Sequence, residues 1–300
     1  MEKQRNKKVS LPIGVRIIGI IIAVLAAAYG LYAGMGNSTG NFDGEMQIFA
    51  LDVGQGDSFF IISPNGKTML IDSGESSNSK QIEQFIREKG VRQLDVVIGS
   101  HTHSDHVGSM PYLLDAFDVG KYVMSEAGLE TRIQKRINAV LEEKDIPCSY
   151  VWAGDVIDWD SDCKVTVLSP VPEFDEYSKT DWNEWSLIIR AEYANHSMIF
   201  TGDATVRSEQ AAMLNNEKYL FDADVLKVPH HGSTTTSSLG FLEAVSPEYA
   251  IISVGKANSY GHPDYDTIQK LKQVNAEIYR TDELGTINIV FSADDIKITY

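Results

Sequence analysis

HTHSDH, residues 101–106, directly follows the apolar run LDVVIGS at 94–100. Alternate residues of an extended segment project to the same side, so His101 and His103 point together and can share one metal ion. Past the turn, Asp105 and His106 can face a second ion. As a plain surface loop these side chains would repel one another and be poorly solvated, and their density is what metal chemistry needs. Two other strand-like runs end in the same kind of residue. SMIFTGD (197–203) ends on Asp203, whose two carboxylate oxygens can bridge a pair of cations, and VLKVPHHGS (225–233) carries His230 and His231. Side chains leaving the C-terminal ends of separate strands can converge on one edge, which makes these the ingredients of a dinuclear site.

Outward from these runs, short β-rich stretches alternate with helical ones. MQIFALDVG, DSFFIIS, KTMLIDSG, LDVVIGS, SYVW, CKVTVLS, WSLIIRAEY, SMIFTGD, ADVLKVPHH and YAIISVG read as strands, with two more closing the chain. Amphipathic helices are expected near 79–90 (Ile82, Phe85 and Ile86 on one face), 130–144 (Ile133, Ile137, Val140 and Leu141), 205–214, 238–245 and 264–274. Many strands with helices interspersed predict sheets packed together with helices outside.

HTHSDH with TGD and HHGS resembles the metallo-β-lactamase superfamily. LDVGQGDS (51–58), LIDSG (70–74) and VPHHGS make it similar to the extracytoplasmic hydrolase domain of the DNA-uptake protein ComEC and its stand-alone relatives, with cell-surface phosphorylcholine esterase a related branch. The resemblance runs from about residue 46 to the end. It implies an α/β fold, the αββα sandwich, over 46–300. It also implies two divalent metal ions, zinc first and manganese next: His101 and His103 on one, Asp105, His106 and a histidine of the pair on the other, Asp203 bridging. His231 is preferred to His230 because adjacent residues at a strand end face opposite ways. His230 would then contact substrate, and Asp105, His230 and His262 are the expected catalytic residues. Asn183 and Ser186 match the Asn and Ser of the similar branch, where many superfamily members have a further histidine. His196, the one candidate for that ligand, lies seven residues before Asp203 at the opposite end of its strand, a separation of roughly 20 Å, and is expected to be a solvated turn residue. Asp72 is expected to accept a hydrogen bond from a ligand histidine, the alternative being a helix N-cap. Asp57 could orient substrate or shape the Gly-rich turn.

The N-terminus has its own signal. Five bases and one acid in residues 1–16 precede IIGIIIAVLAAAYGLYAGM (17–35), 19 residues apolar on every face. That is close to the ~20 needed to cross a bilayer. The length favours an uncleaved transmembrane anchor (1–35) over a signal peptide, and the basic flank places everything after the linker (36–45) outside the cell membrane. Cys148 and Cys163 would then meet oxidising conditions, yet two small core thiols are favoured over a disulfide.

With 43% hydrophobic residues and two cysteines, the chain is neither disordered nor disulfide-stapled. Its formal charge of −16, with +4 in residues 1–16, leaves −20 on the rest. No stable complex with nucleic acid is expected of such a body, although Lys227 and Lys256 could compensate locally. The substrate expected is a phosphodiester, either DNA or a cell-surface polymer. For the phosphorylcholine alternative, Trp182 and Trp185 could cage a quaternary ammonium. The intact ligand set argues against a noncatalytic surface protein that only retains the fold.

Overall fold

The computed structural model of the protein describes residues 44–172 and 180–300. The expected anchor and nearly all of the expected linker lie outside these residues. Among the described residues no helix is long and apolar enough to cross a membrane.

Strands β1 (Met46–Ala50), β2 (Phe59–Ile62), β3 (Thr68–Ile71), β4 (Gln93–Gly99), β5 (Asp118–Met124) and β6 (Cys148–Tyr150) start one sheet. A second follows from β7 (Cys163–Ser169), β8 (Ile188–Tyr193), β9 (His196–Phe200), β10 (Val225–Lys227), β11 (Tyr249–Ile252) and β12 (Glu277–Arg280), before β13 (Ile287–Phe291) and β14 (Ile296–Thr299) return to the first. The orders are β14-β13-β1-β2-β3-β4-β5-β6 and β12-β11-β10-β9-β8-β7. Strands β3 to β6 run parallel, as do β9 to β12, so their C-terminal ends share an edge within each sheet.

Period-two alternation sorts the strand residues between two layers. Ile48, Phe59, Ile61, Val96 and Ile98 pack inward against Val165, Val167, Ile189, Met198 and Phe200. Their neighbours Phe49, Phe60, Ile62 and Val97 face outward onto helices α1 (Ser79–Glu88), α3 (Met110–Ala116) and α4 (Arg132–Glu143), with the short α2 (Ser104–Val107) between. On the other flank Ile188, Ile199, Leu226 and Ile252 meet α5 (Val206–Asn215), α6 (Leu239–Val245) and α7 (Tyr265–Gln273). The architecture is helix, sheet, sheet, helix, as the resemblance implied.

Several details differ from the sequence expectation. β5 departs from the expectation because Gly120 and Lys121 interrupt its apolar pattern, and α2 begins inside HTHSDH, at Ser104, with α3 after it. Three strands, not two, close the chain after α7. His196 does open β9 at the end away from Asp203, but it is not a solvated turn residue. It is half-buried, with its ring 5.6 Å from that of Phe291. Cys148 and Cys163 are both free, each opening the outermost strand of its own sheet.

Candidate metal centre

The site lies where the C-terminal ends of β3, β4, β9 and β10 meet. At the end of β4, Ser100 gives both its N–H and its hydroxyl to Asp72, at 2.8 and 2.7 Å. That leaves the Ser100 oxygen to accept from His101 Nδ1 at 3.1 Å, so the free lone pair of His101 is on Nε2, 3.1 Å from His103 Nδ1. The second oxygen of Asp72 also accepts from His106 Nδ1 at 2.8 Å. Asp72 therefore has the role expected of it and caps no helix.

The same logic fixes His231, whose Nδ1–H donates to the Ser253 carbonyl at 2.9 Å. Nε2 of His106, Nε2 of His231 and Oδ1 of Asp203 are buried without hydrogen-bond partners. The first lies 3.0 Å from Asp203 Oδ1 and the second 3.6 Å from it. Orphaned lone pairs aimed at one point are costly unless a cation satisfies them. The ligand atoms of Asp105, His106, Asp203 and His231 fall within 4.8 Å of one another, and so do those of His101, His103 and Asp203. Asp203 belongs to both sets, and two cations fit. Asp57, Asp72 and His106 are also close, but Asp57 Oδ2 is held by Lys227 and both Asp72 oxygens are taken by Ser100 and His106.

Charge follows the geometry. Burial alone would raise the Asp203 carboxyl, but His106, His231 and His101 outweigh it and hold it well below the carboxylate range. Asp105 is lowered likewise against its burial, chiefly by His106 and His231. Burial pulls His106 and His231 down, yet Asp203 and its neighbours win. They drive His106 well above its ordinary value and His231 up to about 9. His101 goes the other way, well below, through burial and the nearby charge of His106. The carboxylates thus hold protons where the ligand sets would hold cations, and binding of the ions would expel them.

The chain between β10 and His231 corrects one expectation. His230 and His231 are not on an extended strand end. Both occupy the left-handed region, at φ 49° and 54°, in the turn Pro229–Gly232. The turn sends His231 inward and leaves His230 partly exposed, Nε2 3.5 Å from Asp203 Oδ2. Asp57 neither orients substrate nor merely shapes its turn. It is buried behind His106 and His231 and ion-paired to Lys227. Gly56 makes this possible, because a Cβ there would overlap the Asp105 carbonyl. Lys227, 1% exposed, also donates to the Gly202 carbonyl at 2.6 Å and cannot touch DNA. Lys256 is exposed. Ser186 accepts from the Asp203 N–H at 3.1 Å, holding Asp203 from behind.

Above the ligands opens a cleft of about 290 Å³ lined by Gln55, His103, Asn183, His230, Tyr260 and His262, among others. Asn183 and His262 both line the cleft. Trp182 and Trp185 do not line it, and Trp185 packs edge-on against Trp152 at 6.1 Å. The aromatic cage is not formed by these two.

Residues 51–256 match the model of the metallo-beta-lactamase superfamily. The chain belongs to that superfamily. It is 33% identical over 260 residues, 81% of the chain, to ComE operon protein 3 of Bacillus subtilis, and 28% identical over 256 residues, 85% of the chain, to competence protein ComA of Neisseria gonorrhoeae. It spans about a third of the length of each, 33% and 34%. Among solved structures, a metallo hydrolase from the archaeon Ignicoccus hospitalis shares the fold, with TM-score 0.56 and 15% identity over 82% of this chain and 100% of the other. The resemblance to competence-type proteins of this superfamily seen in the sequence is matched by these named relatives.

Three contributors escaped sequence reasoning. Lys227 had a signal, since it interrupts the apolar run of a central parallel strand, where both faces are buried. Tyr260 stands in YGHP, two residues before the histidine that was noticed. Ser253 acts through its carbonyl, which no residue type announces.

Proposed function

We propose that this chain is a membrane-anchored, extracytoplasmic phosphodiesterase that holds two divalent cations and acts on DNA at the cell surface. The observation that carries this is the pair of ligand sets sharing Asp203. The names of the competence relatives support DNA as the substrate, and the apolar run 17–35 supports the anchor. Six ligand residues, four imidazoles and two carboxylates, suit zinc, with manganese the nearest competitor.

When bound, the two ions would lower the pKa of a water between them and neutralise charge that develops on the phosphoryl group. His101 and His103 would hold one ion, Asp105, His106 and His231 the other, and Asp203 would serve both. Asp72 and the Ser253 carbonyl keep protons on the far nitrogens of His106 and His231, so both present lone pairs inward. His230 and His262, at the mouth, touch the substrate. Burial lowers both imidazoles below their ordinary value, which favours their neutral form when the cleft is empty. An arriving phosphodiester anion raises them again. His262 then carries the proton that the departing alkoxide needs.

The test is metal analysis of the full chain in detergent, coupled to turnover of single-stranded DNA, simple phosphodiesters and a β-lactam. About two metals per chain and cleavage confined to phosphodiesters are expected. One metal, or hydrolysis of the β-lactam alone, would overturn the proposal.

A further inference from the structure

Resting on the phosphodiester reading, we propose that the open face of Tyr260 is a stacking platform for the nucleobase beside the cleaved phosphate. Tyr260 lines the same cleft as Asp203, His230 and His262, yet it is 69% exposed. Its ring lies nearly parallel to that of His262, 5.7 Å between centroids at 23°. His262 in turn stands 5.7 Å from His230, which is 3.5 Å from the bridging carboxylate. The three rings form a row from the metal ligands to the rim.

An exposed tyrosine on a loop is usually free to wander, but this one is held. Asn258 Oδ1 accepts from the N–H of Tyr260 and from that of His262, both at 3.1 Å. Its Nδ2 donates to the carbonyls of Gly255 and His262 at 3.0 and 2.7 Å. One side chain therefore fixes the loop that presents both rings, and a flat surface ordered in advance costs little to bind.

Charge points to the same ligand chemistry. Residues 17–300 carry −20, and no lysine or arginine lines the cleft among the described residues. Among the described lining residues, the side-chain cations that usually supply affinity for nucleic acid through phosphate attraction are absent. Stacking needs no charge and tolerates any base. A quaternary ammonium would want rings on several sides. Among the described lining residues, Tyr260 is the one carbocyclic ring, and His262 lies under it, not across from it. The arrangement is a shelf, not a cage.

The experiment is calorimetric titration of the metal-loaded full chain, in detergent, with deoxyadenosine monophosphate, deoxyribose 5-phosphate and phosphocholine. The nucleotide should bind about 5- to 100-fold more tightly than the sugar phosphate, the usual range for one stacked base. Tyr260→Ala should erase that margin and Tyr260→Phe should keep it, with the sugar phosphate equally bound by all three proteins. A margin that survives Tyr260→Ala, or no margin in the unaltered chain, overturns the platform. So does phosphocholine binding that is tighter than nucleotide binding and depends on Tyr260. Because binding is read without turnover, the two proposals fail separately. A Tyr260-dependent margin in a chain that cleaves no oligonucleotide would sink the phosphodiesterase and leave the platform standing.

Discussion

The histidines at the floor of the cleft and those at its mouth are held in different ways. Below, His101, His106 and His231 are buried, and each has its Nδ1 tied, to Ser100, Asp72 and the Ser253 carbonyl. Above, His230 and His262 are partly exposed and their Nδ1 atoms have no partner. A tied imidazole has one tautomer and one orientation, which suits a permanent cation. An untied one can change its proton and its partner, which suits a substrate that arrives and leaves.

Asp203→Ala should produce the largest effect, because it strikes the one residue common to both ligand sets. Metal content should fall from about two ions per chain to less than one, and turnover by at least ~10³-fold. Full occupancy in that variant, read by elemental analysis, would show that the two sets do not share a bridge. His262→Ala probes the mouth. Turnover should drop on the order of 10²-fold with metal content intact, the scale of a lost general acid. Loss of metal there would erase the distinction between floor and mouth.

Asp72→Asn sharpens the comparison from below. It keeps the shape but weakens the hold on His106, so metal affinity should fall about 10- to 100-fold, while turnover at saturating metal stays close to normal. Competition with a metal-binding dye reads the affinity; an unchanged value would mean that the tie to Asp72 is ornamental. The gentlest probe is pH. His231 is raised to about 9, so its protonated form competes with the ion at every pH below that value. Affinity for the second ion should decline as pH falls from 9, by about tenfold per unit for each displaced proton, with His106, also raised, adding its own to that of His231. Mouth residues do not bind metal, so His262→Ala should leave this slope unchanged.

The ligand residues were readable because metal chemistry restricts which side chains can be used and apolar strands announce where they end. HTHSDH, TGD and HHGS name five of the six ligands without ambiguity. His231 does face inward, but not for the reason strand alternation offered, since the left-handed turn at Pro229–Gly232 has no counterpart in it. Support was harder to see. Asp57 and Lys227 neutralise each other across 170 positions of sequence, and two charged side chains so far apart look like surface until the fold joins them. Lys227 in particular was read as a possible contact for DNA, because a lysine is ordinarily exposed. The same locality explains β5: a lysine and a glycine hide the strand from a pattern that counts only neighbours.

One feature of the site reaches beyond chemistry. The candidate ligands come from both layers of the sandwich: His101 and His103 from the loop after β4, Asp105 and His106 from α2 beyond it, Asp203 and His231 from the turns after β9 and β10. Each cation would therefore clip one sheet to the other, closing loops on the order of a hundred residues, the kind of closure that most restricts an unfolded chain. Cys148 and Cys163 remain free and lend no covalent fastening. Stripping the ions with a chelator should then do more than silence the protein: the two layers would lose their rivets, and the melting temperature should drop with the metal.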